Sequence, residues 1–234
     1  MITVGGDNAS RHRFQDASPA QPWSRTEHRI CVTFQEGLIS SGQRTRGVDA
    51  PVTYIPCFLA PEIADTTLAA LLAELPWERR ISRMYGKDVP IPRMEVWVAD
   101  HAYTYSRRTY QPISWTPTML RLKAEVEGAA GGKFNSVLVN RYENEKDSVG
   151  WHADNEPEMS HEHPIASLSL GATRSFEMRK GGGPVQTIEL EHGSLLVMGP
   201  GMQREWRHQV PKTKNPCGLR VNLTFRWMIF PETN

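Results

Sequence analysis

Arg220-Val221-Asn222-Leu223-Thr224-Phe225-Arg226 alternates polar and apolar residues along its whole length. Successive side chains of a β-strand point to opposite faces. Val221, Leu223 and Phe225 therefore share one face, and Arg220, Asn222, Thr224 and Arg226 share the other. The same period of two runs through Ser167-Leu168-Ser169-Leu170. These two segments belong to a series of short strand patterns at 134–142, 165–170, 174–178, 186–190, 194–198, 205–210 and 220–227, punctuated by Gly and Pro. Many short strands in one block predict a sandwich or jelly roll.

Upstream the period changes to that of a helix. Ile63, Leu68, Leu71, Leu72 and Leu75 form one stripe over 60–75, with Pro61 near its start. A second helix is bracketed by Thr116 as N-cap, Pro117 at its first position and Gly131 past its end. Between the helices, strands at 79–83 and 94–98 are expected to join around Tyr85-Gly86-Lys87. The fold class is thus α+β with an all-β core. Residues 1–50, rich in Gly, Ser, Arg, Gln and Asp, read as a flexible leader with at most a short strand at 30–34, and 51–234 as the domain.

The 234 residues suit one medium domain with a tail. They contain no run of eighteen apolar residues, so no membrane span is expected, and a monomer is the simplest assembly. The first residues lack the apolar stretch of a signal peptide. Three cysteines without a CxxC argue against a disulfide framework or a cysteine zinc site, and favour the cytoplasm, or the nucleus in a eukaryote. The net charge of +1 is unevenly spread. Residues 79–141 carry 11 basic and 5 acidic side chains, net +6, whereas 1–78 and 142–234 sum to −3 and −2. Clustered basic charge among Tyr and Trp suits a surface that follows phosphates and stacks bases; a solvated basic face is the plainer reading.

In Trp151-His152-Ala153-Asp154 a His and an Asp stand two apart, so on an extended strand both reach one ion. His208, in another strand pattern, supplies a third ligand. Two imidazoles and a carboxylate form a facial triad with open positions, the usual arrangement for non-haem Fe(II). By donor type alone, zinc would also fit. His161 and His163 compete as a second i, i+2 set, and His192 as a single ligand, but all three sit in loop-like sequence. The polar face of 220–226 either lines a cavity or looks to water; in a cavity, two guanidiniums would suit a dicarboxylate.

Further short motifs occur in a fixed order: Pro92-Arg93, Tyr103-Thr104-Tyr105-Ser106, Asn140-Arg141-Tyr142, His152-x-Asp154, 165–171, 192–196, His208 and 220–226. With them, the chain from about 58 to 227 resembles the AlkB family of nucleic-acid dealkylating dioxygenases, most of all the branch of animal DNA and RNA repair members. The resemblance implies a double-stranded β-helix with supporting N-terminal helices, and the cofactors Fe(II), 2-oxoglutarate and O2. It maps the iron onto His152, Asp154 and His208, and the cosubstrate onto Asn140, Tyr142, Arg220, Asn222 and Arg226. Arg220, with Asn140 and Tyr142, would hold the distal carboxylate, and Arg226 the one beside the keto group. The implied reaction is oxidative demethylation of bases such as 1-methyladenine and 3-methylcytosine in DNA, and also in RNA, with release of succinate, CO2 and formaldehyde.

The resemblance also maps substrate contacts. The nucleotide-recognition region is 79–115, with a hairpin over 81–93 whose Met84 or Tyr85 would act as a wedge between bases, or form part of an ordinary surface hairpin. Tyr105 and Arg107 lie where relatives meet the nucleic acid; contact with phosphate or solvent is the alternative. After His152-x-Asp154 the family usually has two acidic residues that favour a cationic base. Here the pair is Asn155-Glu156, so one charge is missing. Two other activities compete: a same-fold dioxygenase hydroxylating a protein or small molecule, and a nucleic-acid-binding module without metal.

Overall fold

The computed structural model describes residues 48–84, 87–100, 103–105 and 108–229, with the backbone alone for 82–84, 103–105 and 108–110. The leader expected over 1–50 therefore lies outside the described residues, except for its last three positions. Of these, Ala50 is buried, and Asp49 donates its backbone N–H to Gln186 Oε1 at 2.9 Å. The strand expected at 30–34 also lies outside them.

Two antiparallel sheets form the body. The major sheet has the order β1-β12-β9-β14-β7-β4, and the minor sheet β11-β10-β13-β8. In chain order the major strands are β1 (Val52–Ile55), β4 (Met94–Ala99), β7 (Ser136–Tyr142), β9 (Ile165–Gly171), β12 (Ser194–Met198) and β14 (Arg220–Arg226). The minor strands are β8 (Val149–His152), β10 (Arg174–Lys180), β11 (Gln186–Leu190) and β13 (Trp206–Val210). Helices α1 (Pro61–Glu74) and α2 (Pro117–Ala130) cover the outer face of the major sheet, and the one-turn α3 (Met202–Glu205) leads into β13.

Side-chain alternation assigns the layers. Val221, Leu223 and Phe225 of β14 join Val137, Val139, Leu168 and Leu170 against Leu71, Met119, Leu122 and Val126 of the helices. A second core between the sheets holds Tyr142, Ile165, Leu196 and Met198 of the major sheet with Phe176, Met178, Ile188, Leu190 and Val210 of the minor sheet. The polar face of β14 consequently turns into the space between the sheets, not toward water. All seven residues of β14 are buried.

Local signals explain the helix ends. Thr116 Oγ1 accepts the N–H of Met119, Pro117 occupies the first position, and Gly131 closes the helix with φ 65°. The hairpin expected over 81–93 is present, but the strand expected to complete it at 94–98 pairs elsewhere. β2 (Ile81–Met84) turns onto β3 (Lys87–Pro90), whereas β4 leaves them to pair with β7. Pro90 and Pro92 hid β3 in the sequence, because proline lacks a ladder donor; in a two-stranded ribbon the missing donor is tolerated. A further two-stranded ribbon joins β5 (Tyr103–Tyr105) and β6 (Arg108–Tyr110).

Two left-handed glycines, Gly171 and Gly193, have no room for a Cβ. Gly171, with φ 88°, passes so close to the next crossing that a Cβ there would lie 2.3 Å from Leu219 O. Its N–H donates to His192 Nδ1 at 2.8 Å, which gives His192 a structural task rather than a loop position free in solvent. Gly171→Ala should cost at least about 2 kcal/mol, from the left-handed backbone and the clash together, measured by denaturant unfolding.

Candidate metal centre and cosubstrate cavity

β8 and β13 are neighbours, and their register places His152 directly opposite His208. Their rings lie 4.3 Å apart between centroids. Asp154 follows two residues after His152, so one ligand atom from each of the three lies within 4.8 Å of the others. Among the described residues this is the one such group of His, Cys, Asp or Glu. His161, His163 and His192 are elsewhere: His163 stacks on Trp227, and His192 Nε2 faces Asp65 at 3.3 Å.

Each ligand is held by a second group. His152 Nδ1 lies 2.8 Å from Gly150 O, so Nδ1–H donates there and Nε2 is left for a metal. The His208 ring stacks on Phe176 at 5.1 Å. Asp154 Oδ2 accepts from Arg226 Nη2 at 2.9 Å, and its backbone N–H donates to the buried Gln203 Oε1 at 3.1 Å. Burial pushes the Asp154 carboxyl up, but Arg226, His152 and His208 together outweigh it and bring the pKa to about 2. Burial, together with His152, lowers His208 to about 3, so it stays neutral and keeps its lone pair at neutral pH. An ionised Asp154 and a neutral His208 are the donor states that a divalent cation takes.

Gln203 was not singled out by the sequence, since nothing in the four-residue α3 signals a site. Gln203→Ala should weaken Fe(II) affinity about tenfold by freeing Asp154, read from an anaerobic metal titration.

A cavity of about 470 Å³, its open mouth included, lies between the sheets beside the triad. Asn140, Tyr142, Arg220, Asn222 and Arg226 all line it, as do Arg93, Ser167 and Thr224. On the opposite wall, formed by the minor sheet, Phe176, Leu190 and Val210 are apolar, and Met198 of β12 adds an apolar side chain from the major sheet. Register explains the polar wall: Asn222 stands between Asn140 of β7 and Ser169 of β9.

The polar residues differ in how far they are already engaged. Asn222 gives its amide hydrogens to Ser167 Oγ and Leu168 O and accepts from Thr224 Oγ1, so it organises the wall more than it reaches into the cavity. Asn140 Oδ1 accepts from Arg93 Nε at 2.8 Å, and Arg93 is tied in turn to Glu95 at 2.6 Å. Arg93 stood in a quoted motif without a role; its link to Asn140 spans 47 positions of sequence and could not be read there. Arg226, expected on a cosubstrate carboxylate, spends one Nη on Asp154 and keeps a buried Nε without a partner.

Arg220 is the extreme case. It is 1% exposed and donates from Nη2 to Ser169 Oγ at 3.0 Å, while Nε and Nη1 have no hydrogen-bond partner among the described residues. Its guanidinium lies over the Tyr142 ring at 5.1 Å, and no carboxylate among the described residues stands within ion-pair distance. Burial lowers its pKa. A buried guanidinium with unused donors is costly unless an anion completes it.

A family model described as the 2OG-Fe(II) oxygenase superfamily matches residues 51–226. The human alpha-ketoglutarate-dependent dioxygenase alkB homolog 3 is 36% identical, over 99% of this chain and 90% of its own. The chain belongs to the AlkB family of that superfamily. The rat alkB homolog 3 is 40% identical over 86% of this chain and 71% of its own, and the human DNA oxidative demethylase ALKBH2 39% identical over 64% and 62%. A solved structure described as that of OsALKBH1 shares the fold, with a TM-score of 0.58 at 19% identity, over 77% of this chain and 98% of that one.

This AlkB-family member is therefore a 2-oxoglutarate-dependent dioxygenase that uses Fe(II) and O2. Its residues fit both groups: two nitrogens and a carboxylate for the metal, and an unsatisfied buried guanidinium for a dicarboxylate. No helix among the described residues is long and apolar enough to cross a membrane.

Of the expected substrate contacts, Asn155 is exposed, and Glu156 is partly buried with Oε2 lacking any partner. Met84 ends β2 and Tyr105 ends β5, each at the turn of its ribbon. Tyr85 and Arg107 lie outside the described residues.

Proposed function

We propose that this enzyme oxidatively removes methyl groups from ring nitrogens of alkylated bases, such as 1-methyladenine and 3-methylcytosine, in DNA and in RNA. The observation that carries the reading is the Arg220 cavity beside the triad in a chain of the AlkB family, one of whose similar relatives is named a DNA oxidative demethylase. The net +6 of residues 79–141 supports a polyanionic substrate.

In this reading His152, Asp154 and His208 hold Fe(II). Arg220, with Tyr142 beneath it and Asn140 nearby, receives the distal carboxylate of 2-oxoglutarate. Arg226 keeps Asp154 in its ligating orientation and offers Nε to the carboxylate beside the keto group. When bound, the metal and 2-oxoglutarate supply the oxidant from O2, with succinate and CO2 as products. The apolar side chains of Phe176, Leu190, Met198 and Val210 keep water from that reaction. The hydroxylated N-methyl group then breaks at its C–N bond, giving formaldehyde and the restored base.

A stacked base cannot reach a cavity between two sheets, so the nucleotide must be turned out of its strand. Glu156, with its unpartnered oxygen near the end of β8, suits the positive charge of a methylated ring; Asn155 gives up a second charge. Tyr105 and Arg107 are assigned to nucleic-acid contact, and Met84 and Tyr85 to the hairpin that probes the strand. The test compares 2-oxoglutarate consumption with methylated, unmethylated and peptide substrates. Stimulation by the methylated oligonucleotides alone is expected. Stimulation only by a peptide or small molecule would overturn the reading in favour of another hydroxylase.

A further inference from the structure

The outer face of the minor sheet carries a charge arrangement that the fold does not need. Arg179 of β10 and Arg207 of β13 are paired directly across the ladder. Like charges opposite one another on a sheet destabilise it, and neither has a carboxylate partner among the described residues. The nearby acids are engaged: Glu177 accepts from Gln209 at 2.6 Å, and Glu205 pairs with Lys180 at 2.8 Å. The Arg179 guanidinium reaches over Trp151 of the edge strand β8 at 4.3 Å, and its buried Nε has no partner. Arg207 is exposed.

The cluster lies on the face of the minor sheet opposite the triad, and Trp151 carries it to the edge strand β8 that also bears His152. Trp151 immediately precedes His152, whose side chain is 35% exposed where Asp154 is 6% exposed, so the triad opens along β8. A strand whose target base enters there must run its neighbouring phosphates past the same edge.

We infer that Arg179, Arg207 and Trp151 form a phosphodiester-binding surface for the substrate strand beside the flipped base. Two unpaired guanidiniums take phosphate oxygens, and the indole, already stacked on one planar cation, offers a platform of the kind bases use. The inference rests on the nucleic-acid reading of the site, and the experiment separates the two. The full chain, loaded anaerobically with Fe(II) and 2-oxoglutarate, is titrated with a fluorescent single strand of about a dozen nucleotides carrying 1-methyladenine, at low and raised salt, and with a trinucleotide holding the same base.

Arg207→Glu should weaken the longer strand about tenfold and lower its salt slope by about 0.7, one phosphate contact on a single strand. Arg207→Lys should remain within about twofold of the unaltered protein, and trinucleotide binding should not change between variants. Unaltered affinity and slope in Arg207→Glu would overturn the surface while leaving the substrate class intact. Failure of the unaltered protein to bind either methylated strand would overturn both.

Discussion

Asp154→Ala should abolish turnover of 2-oxoglutarate and, at the same time, destabilise the protein by about 3 kcal/mol or more. The two effects have separate causes. The first is loss of the only carboxylate in the ligand set, after which two neutral imidazoles face a divalent cation without anionic compensation. The second is that Arg226 loses its partner at 2.9 Å while staying buried. Removing one member of a buried pair leaves an uncompensated charge, which is more damaging than removing both. Asp154→Asn keeps the volume and an acceptor for Arg226, so it should lose iron with a smaller loss of stability. Metal content and chemical denaturation of the two variants measure these effects separately. Iron retained at wild-type occupancy in Asp154→Ala would sink the metal assignment.

Arg220→Met should move stability and ligand binding in opposite directions. In the protein without cosubstrate, Arg220 is a buried cation with two unused nitrogens, and only Ser169 and the Tyr142 ring compensate for its lost hydration. A methionine of similar length removes that desolvation, so the melting temperature of this state should hold or rise. Affinity for 2-oxoglutarate should fall about a hundredfold or more, since a buried carboxylate loses its charged partner. The rise in melting temperature that added 2-oxoglutarate gives the unaltered protein should then disappear in the variant. A variant that melts far lower and still binds the cosubstrate would show that Arg220 is structural.

How much of this was legible in the sequence depends on distance along the chain. Thr116, Pro117 and Gly131 mark both ends of α2 because capping is settled within a few residues. The alternation of 220–226 gave the strand, and His152-x-Asp154 gave two ligands on one strand end. Which way the polar face of β14 looks could not be read, because it is decided by two helices on one side and the minor sheet on the other. The same holds for β3, masked by its prolines, and for β4, which pairs with a strand some forty residues later. Arg226 shows the limit most clearly. A cosubstrate role was expected from the resemblance, yet Arg226 donates to Asp154, the proposed iron ligand 72 positions away. Gln203 reaches Asp154 across 49 positions and left no local trace. Residues that carry chemistry announced themselves by type and spacing; those that hold them in place did not.

The most direct measurement is the product balance of a single reaction. The protein is incubated with Fe(II), 2-oxoglutarate, O2 and an oligonucleotide carrying one 1-methyladenine, and succinate, formaldehyde and unmethylated adenine are quantified together. Equal amounts of formaldehyde and restored adenine, matched by succinate after subtracting the substrate-free rate, are expected. Succinate formed with no formaldehyde and with the methylated base intact would contradict the assignment of this cavity to base demethylation.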